Sequence, residues 1–198
     1  METFYALIDE LAQLPAAQRE AGEQRLRERF EVERAVLALD MSQFSLSVRR
    51  SGIVFHLCQI RRVQRIALPI VETWRGELVK CEADNILATF ASPDDAVEAA
   101  LAIHAALAGT GEDSPLGAPL TAGIGIDFGK FLLIPGKDAF GDAVNTAHKL
   151  GEDVARASEV LVTEEVKRRL APGADLRAEP LALSISGLQL EAWRILPR

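Results

Sequence analysis

Long apolar runs, cysteines and basic clusters are all scarce in this chain of 198 residues. No apolar run reaches the roughly 20 residues that a membrane-spanning helix needs, and the first residues carry acids where a secretion signal would be basic. Cys58 and Cys81 lie in no C-x-x-C pair, which argues against a disulfide framework or zinc site. The net charge is −7, and no basic run could neutralise successive phosphates. We expect a cytoplasmic protein with no membrane insertion and no nucleic-acid partner.

The composition of the whole chain, with 48% hydrophobic and 26% charged residues, is typical of a globular protein. At this length we expect one domain with an attached segment, or at most two small domains. Apolar residues at helical spacing before Pro15, and a charged stretch after it, predict an N-terminal helical segment over residues 1–32. Its apolar stripe needs a partner surface, so we expect it to sit against a dimer or to follow it as an arm, with a frayed surface helix as the alternative. We expect residues 33–198 to form the main domain.

Strand-like and helix-like patterns follow one another along the main domain. The predicted elements are a buried strand ending at Asp40, a long helix over about 46–74, a hairpin with Asp84 at its tip, a helix capped by Ser92, two strands around Gly129, a helix starting near Gly141, and a strand, a helix and two strands in the tail. The order β-α-β-β-α-β is that of a split βαβ unit. We therefore predict an α+β fold, a ferredoxin-like βαββαβ sandwich with an extra C-terminal hairpin and an N-terminal helical segment.

Several familiar site patterns are absent from the sequence. The stretch GIGIDFG fails the dinucleotide-binding pattern, because Phe128 stands where the last glycine is needed, and no G-x-x-x-x-G-K-[ST] loop is present. The three histidines, His56, His104 and His148, are far apart and each falls in a predicted helix. We interpret them as ordinary surface or packed side chains, because a metal-binding histidine usually has a second ligand nearby.

Two carboxylates form a better candidate site. Adjacent strands of a split βαβ sheet would bring Asp40, at a strand end, close to Asp84, at a hairpin tip. Close like charges destabilise one another unless a cation lies between them, and Mg²⁺ takes one or two carboxylates together with substrate phosphates. The alternative is that both are solvated turn acids.

Three separated segments carry a more specific signal: RAVLALDMSQF, GELVKCEADNILATF and LTAGIGIDFGKFLLIPGKDAFGDAVNTAHKL. In this order and spacing they resemble the diagnostic blocks of class III nucleotidyl cyclases, the catalytic domain of adenylate and guanylate cyclases. The resemblance covers about residues 33–196, and the tail LSISGLQLEAWRIL resembles the final hairpin of that family. It implies a head-to-tail homodimer that binds nucleotide at its interface, with each active site shared between the two chains.

The resemblance also implies a role for each matching residue on one side of the shared site. Asp40 and Asp84 match the two metal-binding aspartates, which hold two Mg²⁺ or Mn²⁺ ions, and the backbone carbonyl of Met41 matches an extra ligand. One ion would lower the pKa of the ribose 3′-hydroxyl, and the other would neutralise the triphosphate and the leaving pyrophosphate. An acidic domain can bind a polyanion here because the cations invert the local field.

The partner chain would supply the other side. Lys80 matches the lysine that recognises the adenine ring, and Asp138 matches the second base-selecting residue, a pair that favours ATP over GTP. Asn145 matches the asparagine that positions the ribose. Lys149, on the same helix face, stands where the family has an arginine that stabilises the transition state.

The sequence departs from the family pattern at four positions. Gln43 and Ala83 replace glycines near the two aspartates, Lys149 replaces the arginine, and Ser186 replaces a phosphate-binding lysine. Lysine lacks the bidentate fork of arginine, so the phosphate-facing positive charge is weakened. Our first interpretation is an adenylate cyclase that makes cyclic AMP and pyrophosphate, with slow catalysis. The alternatives are a cyclase-like regulatory module that binds nucleotide without turnover, and a purely structural sandwich.

Overall fold

The computed structural model describes residues 3–41, 52–111, 119–172, 176–185 and 188–196, and it describes no side chains for 183–185 and 188–190. The strands are β1 (Glu31–Met41), β2 (Glu77–Glu82), β3 (Asn85–Phe90), β4 (Ala122–Ile134), β5 (Asp138–Phe140), β6 (Val160–Thr163), β7 (Arg177–Ile185) and β8 (Leu188–Leu196). The helices are α1 (Phe4–Gln13), α2 (Ala16–Phe30), α3 (Ile53–Thr73), α4 (Pro93–Ala108), α5 (Asp142–His148) and α6 (Glu164–Arg169), and a π-helical turn (Lys149–Val154) continues α5.

The strands form one eight-stranded sheet in the order β2-β3-β1-β4-β6-β8-β7, with β5 paired to the far end of β4. β1 lies between β3 and β4 and is antiparallel to both. The segment β4-β1-β3-β2, with its crossing helices, is the predicted ferredoxin-like core. The predicted α+β fold is confirmed.

The alternation of side chains along β1 divides the core between the two faces of the sheet. Ala35, Leu37 and Leu39 belong to the larger cluster, which α3 and α4 cover. Val36 and Ala38 face the other way and pack with the buried side of α5. Every one of these five residues is at most 1% exposed, which explains why this strand is an almost uninterrupted apolar run.

The predictions for the helix at Ser92 and for the strands around Gly129 had different outcomes. The helix capped by Ser92 is confirmed, because the Ser92 hydroxyl accepts a hydrogen bond from the Asp94 backbone N–H at 3.2 Å. The prediction of two strands around Gly129 is wrong: β4 runs without a break for 13 residues. Gly129 keeps its place in the ladder opposite Arg34, so the long pairing with β1 outweighs the weak strand preference of glycine.

The N-terminal segment folds as two helices that break at Pro15, as predicted. Phe4, Leu7 and Leu26 form a small buried cluster with Leu132 on β4, among others, so the segment packs on the sheet of its own chain. The division at residues 32 and 33 stays a prediction.

Two further observations bear on the predicted elements. The long helix predicted over 46–74 is present from Ile53 to Thr73, passes through Pro69, and has its first predicted residues outside the described part of the chain. None of the helices in the described ranges has the length and hydropathy needed to cross a membrane.

Candidate active site

The tip of the β2–β3 hairpin brings Asp84 to the end of β1. The hairpin closes through a two-residue turn, Ala83 and Asp84, between the paired residues Glu82 and Asn85. The β1–β3 register ends at Leu39 opposite Ile86, so the next position places Asp40 beside the hairpin tip. The predicted approach of two separate strand ends is therefore present in the fold.

Ala83 adopts a backbone φ of +49° in this turn. That is the left-handed region, which glycine enters freely and other residues enter at a cost of roughly 1–2 kcal/mol. The resemblance predicts a glycine at this position. The hairpin therefore keeps the turn geometry of a glycine while carrying a methyl group.

The electrostatic environment of Asp40 is strongly negative. Partial burial, and after it the neighbouring charges of Asp84, Glu152 and Asp153 in that order of effect, together raise the pKa of Asp40 to about 6. A carboxyl group held in this way favours either a proton or a cation. Within the described residues there is no group of three or more histidine, cysteine or acidic side chains arranged to hold a metal by themselves. A cation at Asp40 and Asp84 would therefore need further oxygens, such as backbone carbonyls or phosphate.

Glu152 was not identified from the sequence. Its Oε1 accepts a hydrogen bond from the Asn85 amide at 3.2 Å and lies 2.6 Å from the His148 Nδ1. These contacts link the π-helical turn to the hairpin that carries Asp84. The four-residue spacing of His148 and Glu152 on a helix was the available signal. His148 is thus tied to the edge of the site and is not an isolated surface residue.

A second pair of functional candidates lies on β2 and β5. The Lys80 Nζ is 3.0 Å from Asp138 Oδ1 and 3.2 Å from Glu82 Oε2. The hydrogen bond with Asp138 is the main cause that raises the pKa of Lys80. Asp138 also accepts the backbone N–H of Ala139 at 2.9 Å, which fixes its carboxylate. A single chain therefore brings both predicted base-selecting residues into direct contact.

A β-bulge in β2 sets the direction of the lysine. The β2–β3 register shifts between Leu78 and Lys80, so that Val79 is the extra residue. Such a bulge re-aims the residues that follow it. Lys80 then pairs with Leu87, which faces the same side of the sheet as α5.

The remaining candidates, Asn145 and Lys149, lie on and just after α5. Asn145 is exposed and Lys149 is half-buried. The Lys149 N–H is bonded to the Asn145 carbonyl, so the two residues are one turn apart. Among the residues that the structure describes, neither side chain has a hydrogen-bond or ion-pair partner, and both are available to a ligand or a second chain.

Close contact between backbones sets the distance between this helix and the sheet. A Cβ at Gly123 would lie 2.6 Å from the Gly151 carbonyl oxygen, and one at Gly125 would clash with the Ala147 carbonyl. A Cβ at Gly151 would in turn lie 2.6 Å from the Ala38 carbonyl oxygen. The glycines of GIGIDFG therefore allow the helix that carries Asn145 and Lys149 to pack closely against the sheet.

The structure groups the predicted residues into two sets. Asp40 and Asp84 form one set, and Lys80 and Asp138 form the other; in the described ranges no hydrogen bond or ion pair joins them. Met41 is 5% exposed at the end of β1, where it pairs with Ala122. The predicted departures Gln43 and Ser186 lie outside the described residues.

No model of a known protein family matches the chain. A curated relative, "Putative adenylate cyclase 3" of Rhizobium meliloti, is 28% identical over 132 residues, which is 67% of this chain and 22% of that protein. The chain thus spans about a fifth of the length of this relative.

Solved structures of cyclase domains share the fold. The guanylate cyclase domain of RhGC from Catenaria anguillulae, in complex with GTP, has a TM-score of 0.74 at 19% identity and covers 85% of this chain and 98% of that one. The adenylate/guanylate cyclase/hydrolase from Silicibacter pomeroyi has a TM-score of 0.71 at 27% identity, with 84% and 98% covered. The adenylyl cyclase CyaB from P. aeruginosa has a TM-score of 0.74 at 15% identity, with 85% and 95% covered.

Proposed function

We propose that this chain, which has the catalytic-domain fold of class III nucleotidyl cyclases, converts ATP to 3′,5′-cyclic AMP and pyrophosphate at a homodimer interface. The observation that carries the proposal is the contact between Lys80 and Asp138, because it presents one donor and one acceptor side by side. The reaction forms a bond between the ribose 3′-oxygen and the α-phosphorus, and it breaks the bond to the pyrophosphate. No protein nucleophile is needed.

The donor chemistry of the other residue set fits a divalent cation. Asp40 and Asp84 supply carboxylate oxygens, and the Met41 carbonyl could supply a third, which is the ligand type that Mg²⁺ and Mn²⁺ prefer. The raised pKa of Asp40 supports this fit, because the surrounding negative charge is relieved by a positive ion. Two such ions would activate the 3′-hydroxyl and neutralise charge on the phosphates.

The base would be read by Lys80 and Asp138. The adenine N6 amino group can donate to the Asp138 carboxylate, while the Lys80 ammonium donates to a ring nitrogen. Guanine presents the opposite pattern, an oxygen acceptor in place of the amino group, and would leave the carboxylate unpaired. Without nucleotide the two side chains pair with each other at 3.0 Å, so ATP must replace part of an existing interaction.

The two separate residue sets support a shared site. Asp40 and Asp84 would bind the cations of one site, while Lys80, Asp138, Asn145 and Lys149 would reach the same nucleotide from the partner. In this proposal Asn145 orients the ribose and Lys149 stabilises the negative charge that develops on the α-phosphate. A cytoplasmic location stays a prediction.

One alternative function has support of its own. Lys149 provides a single compact charge where the family uses a bidentate arginine, and Ala83 holds a strained turn beside Asp84. The loss of the arginine fork is expected to weaken transition-state stabilisation more than nucleotide binding. A nucleotide-binding regulatory dimer that does not turn over is therefore the second candidate.

The central experiment is a cyclase assay of the purified chain with ATP and Mn²⁺, with cyclic AMP measured by chromatography. We expect product, and we expect chelation by EDTA to abolish it. Asp40→Asn and Asp84→Asn should each lose about 10³-fold or more in turnover, the scale of removing a transition-state electrostatic partner. Glu191→Gln, an exposed acid on β8, is the matched control and should keep full activity.

A mixing experiment tests the shared site. Asp40→Asn and Asn145→Ala dimers should each be inactive, and subunit exchange between them should restore one complete site per heterodimer. An inactive mixture, despite demonstrated exchange, would exclude the interface arrangement. ATP binding without any product in the wild-type chain would favour the regulatory alternative.

A further inference from the structure

The N-terminal helix α1 contacts the short strand that carries Asp138. The Phe4 ring stacks on the Phe140 ring, with centroids 5.7 Å apart and planes inclined by 11°. The next residue, Tyr5, has the Lys137 ammonium 5.0 Å from its ring centroid. The two neighbours of α1 in this contact, Lys137 and Phe140, bracket Asp138 in the sequence.

The side of α1 that makes these contacts is itself well fixed. Phe4 is 7% exposed and meets Phe30 of α2 edge-on at 5.1 Å. Thr3 caps the helix, because its hydroxyl accepts the Ala6 backbone N–H at 3.3 Å. The first turn of α1 is therefore a rigid surface and not a loose end.

The strand on the other side of the contact is short, and only its middle residue, Ala139, is buried in the core beside α5. β5 contains three residues, and within the described part of the chain it pairs with the end of β4 alone. The connecting turn bonds the Lys137 N–H to the Ile134 carbonyl at 3.0 Å, and its Gly136 has a φ of +66°. Three residues of antiparallel pairing are marginal by themselves, so packing against β5 contributes to how well it is held. Ala139 supplies that packing on the α5 side, and the Phe140 side chain supplies it on the α1 side.

We propose that Phe4 and Tyr5 are positioning residues for nucleotide base selection, because they hold the β5 segment and with it the Asp138 carboxylate against Lys80. This inference rests on the proposed function of the Lys80 and Asp138 pair. Asp138 and Phe140 are two residues apart and project from the same side of the strand. Movement of Phe140 away from Phe4 therefore moves the Asp138 carboxylate with it.

The effect on nucleotide recognition follows from the geometry of hydrogen bonds. A displacement near 1 Å is enough to remove a hydrogen bond of about 3 Å, and misplacement on that scale costs an enzyme up to about 100-fold. Loss of the aromatic contact should therefore weaken the discrimination between adenine and guanine. The cation-binding set around Asp40 is not part of this contact, so turnover at saturating ATP should change less.

The test compares Phe4→Ala, Phe4→Leu and Tyr5→Ala with the wild-type chain. Phe4→Leu keeps an apolar side chain in the α1–α2 cluster but removes the stacked ring, which separates stacking from helix packing. Ile8→Ala is the matched control, because Ile8 lies one turn further along the same helix and is 37% exposed. KM and kcat are measured for ATP and for GTP, and amide hydrogen exchange is measured over residues 137–140.

We expect Phe4→Ala and Phe4→Leu to speed exchange over 137–140 by about two- to tenfold, the factor that corresponds to one aromatic pair. The ATP-to-GTP ratio of kcat/KM should fall by about threefold or more, chiefly through KM for ATP. Tyr5→Ala should act in the same direction, and Ile8→Ala should change neither quantity. Unchanged exchange in both Phe4 variants would overturn the proposal, and so would faster exchange with an unchanged ATP-to-GTP ratio.

Failure of the proposed function would give a different result. A wild-type chain that neither binds nor converts ATP or GTP removes the base-selecting role of Asp138, and the positioning claim is overturned with it. In that case the exchange measurements still report whether α1 orders β5. A chain that binds nucleotide without turnover is tested by the ratio of ATP to GTP affinities in the same variants.

Discussion

Replacing Asp127 with asparagine should make the stability of this protein less dependent on pH in the mildly acidic range. Asp127 lies on β4 with 8% of its surface exposed. Its Oδ1 accepts the Thr163 hydroxyl at 2.5 Å and the Phe128 backbone N–H at 2.7 Å. Burial outweighs these hydrogen bonds and raises the pKa of Asp127 from its ordinary 3.8 to about 6. The folded state therefore holds a proton that the unfolded state releases.

The sign and size of the effect follow from that difference. Below pH 3.8 the carboxyl is protonated in both states and costs nothing; between 3.8 and about 6 only the folded state keeps the proton. The free energy of unfolding therefore falls as the pH rises through this window, and above about 6 the full cost is present. A pKa difference of this size corresponds to a loss of about 3 kcal/mol, at about 1.4 kcal/mol per tenfold.

Urea denaturation of the wild type and Asp127→Asn, from pH 4 to pH 7, checks this prediction. Asparagine keeps an oxygen for the Thr163 hydroxyl and the Phe128 N–H but has no charge, so the variant should gain about 2–3 kcal/mol relative to wild type as the pH rises. Any cost of its amide group is the same at every pH and cancels in this comparison. A constant difference between the two curves would refute the argument that burial holds Asp127 protonated. The test is independent of cyclase activity.

Three further predictions concern the candidate site. Ala83→Gly should raise the free energy of unfolding by about 0.5–1 kcal/mol, because relief of the positive φ exceeds the added flexibility of glycine; a loss of stability in urea denaturation would contradict this. Replacing Lys80 with Glu and Asp138 with Cys reverses the donor and acceptor pattern, so initial rates should shift preference from ATP toward GTP; an unchanged ratio in a folded double variant would show that the base is read elsewhere. Lys149→Arg should raise kcat by about tenfold, which corresponds to a barrier lower by about 1.4 kcal/mol, with KM for ATP nearly constant. Equal rates for Lys149→Arg, Lys149→Ala and wild type would remove Lys149 from the catalytic residues.

The core of the fold could be predicted because its local signals agree with its long-range pairing. The apolar run before Asp40 is buried on both faces, and the polar turn at Asp84 closes a two-residue hairpin. The cap at Ser92 is a local hydrogen bond that needs no tertiary information. Where a local residue pattern is compatible with a single low-energy structure, the sequence alone is sufficient to predict that structure.

One wrong prediction and two unpredicted features lie where tertiary contacts outweigh local preference. Gly129 indicated a break, but its pairing with Arg34 keeps β4 continuous. The backbone contact at Gly151 lies in a π-helical turn, a form with no reliable signal in a single sequence. The bulge at Val79, which directs Lys80, is likewise visible only in the register of β2 and β3.

The candidate site could be predicted only through the family resemblance. From spacing alone, Asp40 and Asp84 could be either a cation site or two solvated acids. Spacing also gave no reason to connect Lys80 with Asp138, since these residues are far apart in the chain. Their contact at 3.0 Å and the raised pKa of Asp40 are long-range properties of the folded sheet. The contact of Phe4 with Phe140 is of the same kind, because it joins the first described helix to a three-residue strand.

Under the proposed function one chain carries two parts of a shared site, and the contacts within each part affect the chain before any ligand binds. Lys80 and Asp138 satisfy each other, so neither is left as an unpaired charge before a base arrives. Asp40, partly buried and crowded by other acids, keeps a proton up to about pH 6, so a cation competes with that proton below this pH. Under the proposed function, nucleotide and metal binding must therefore compete with interactions inside the chain. This competition lowers affinity, and it makes complete assembly of the site depend on the second chain, the metal and ATP together.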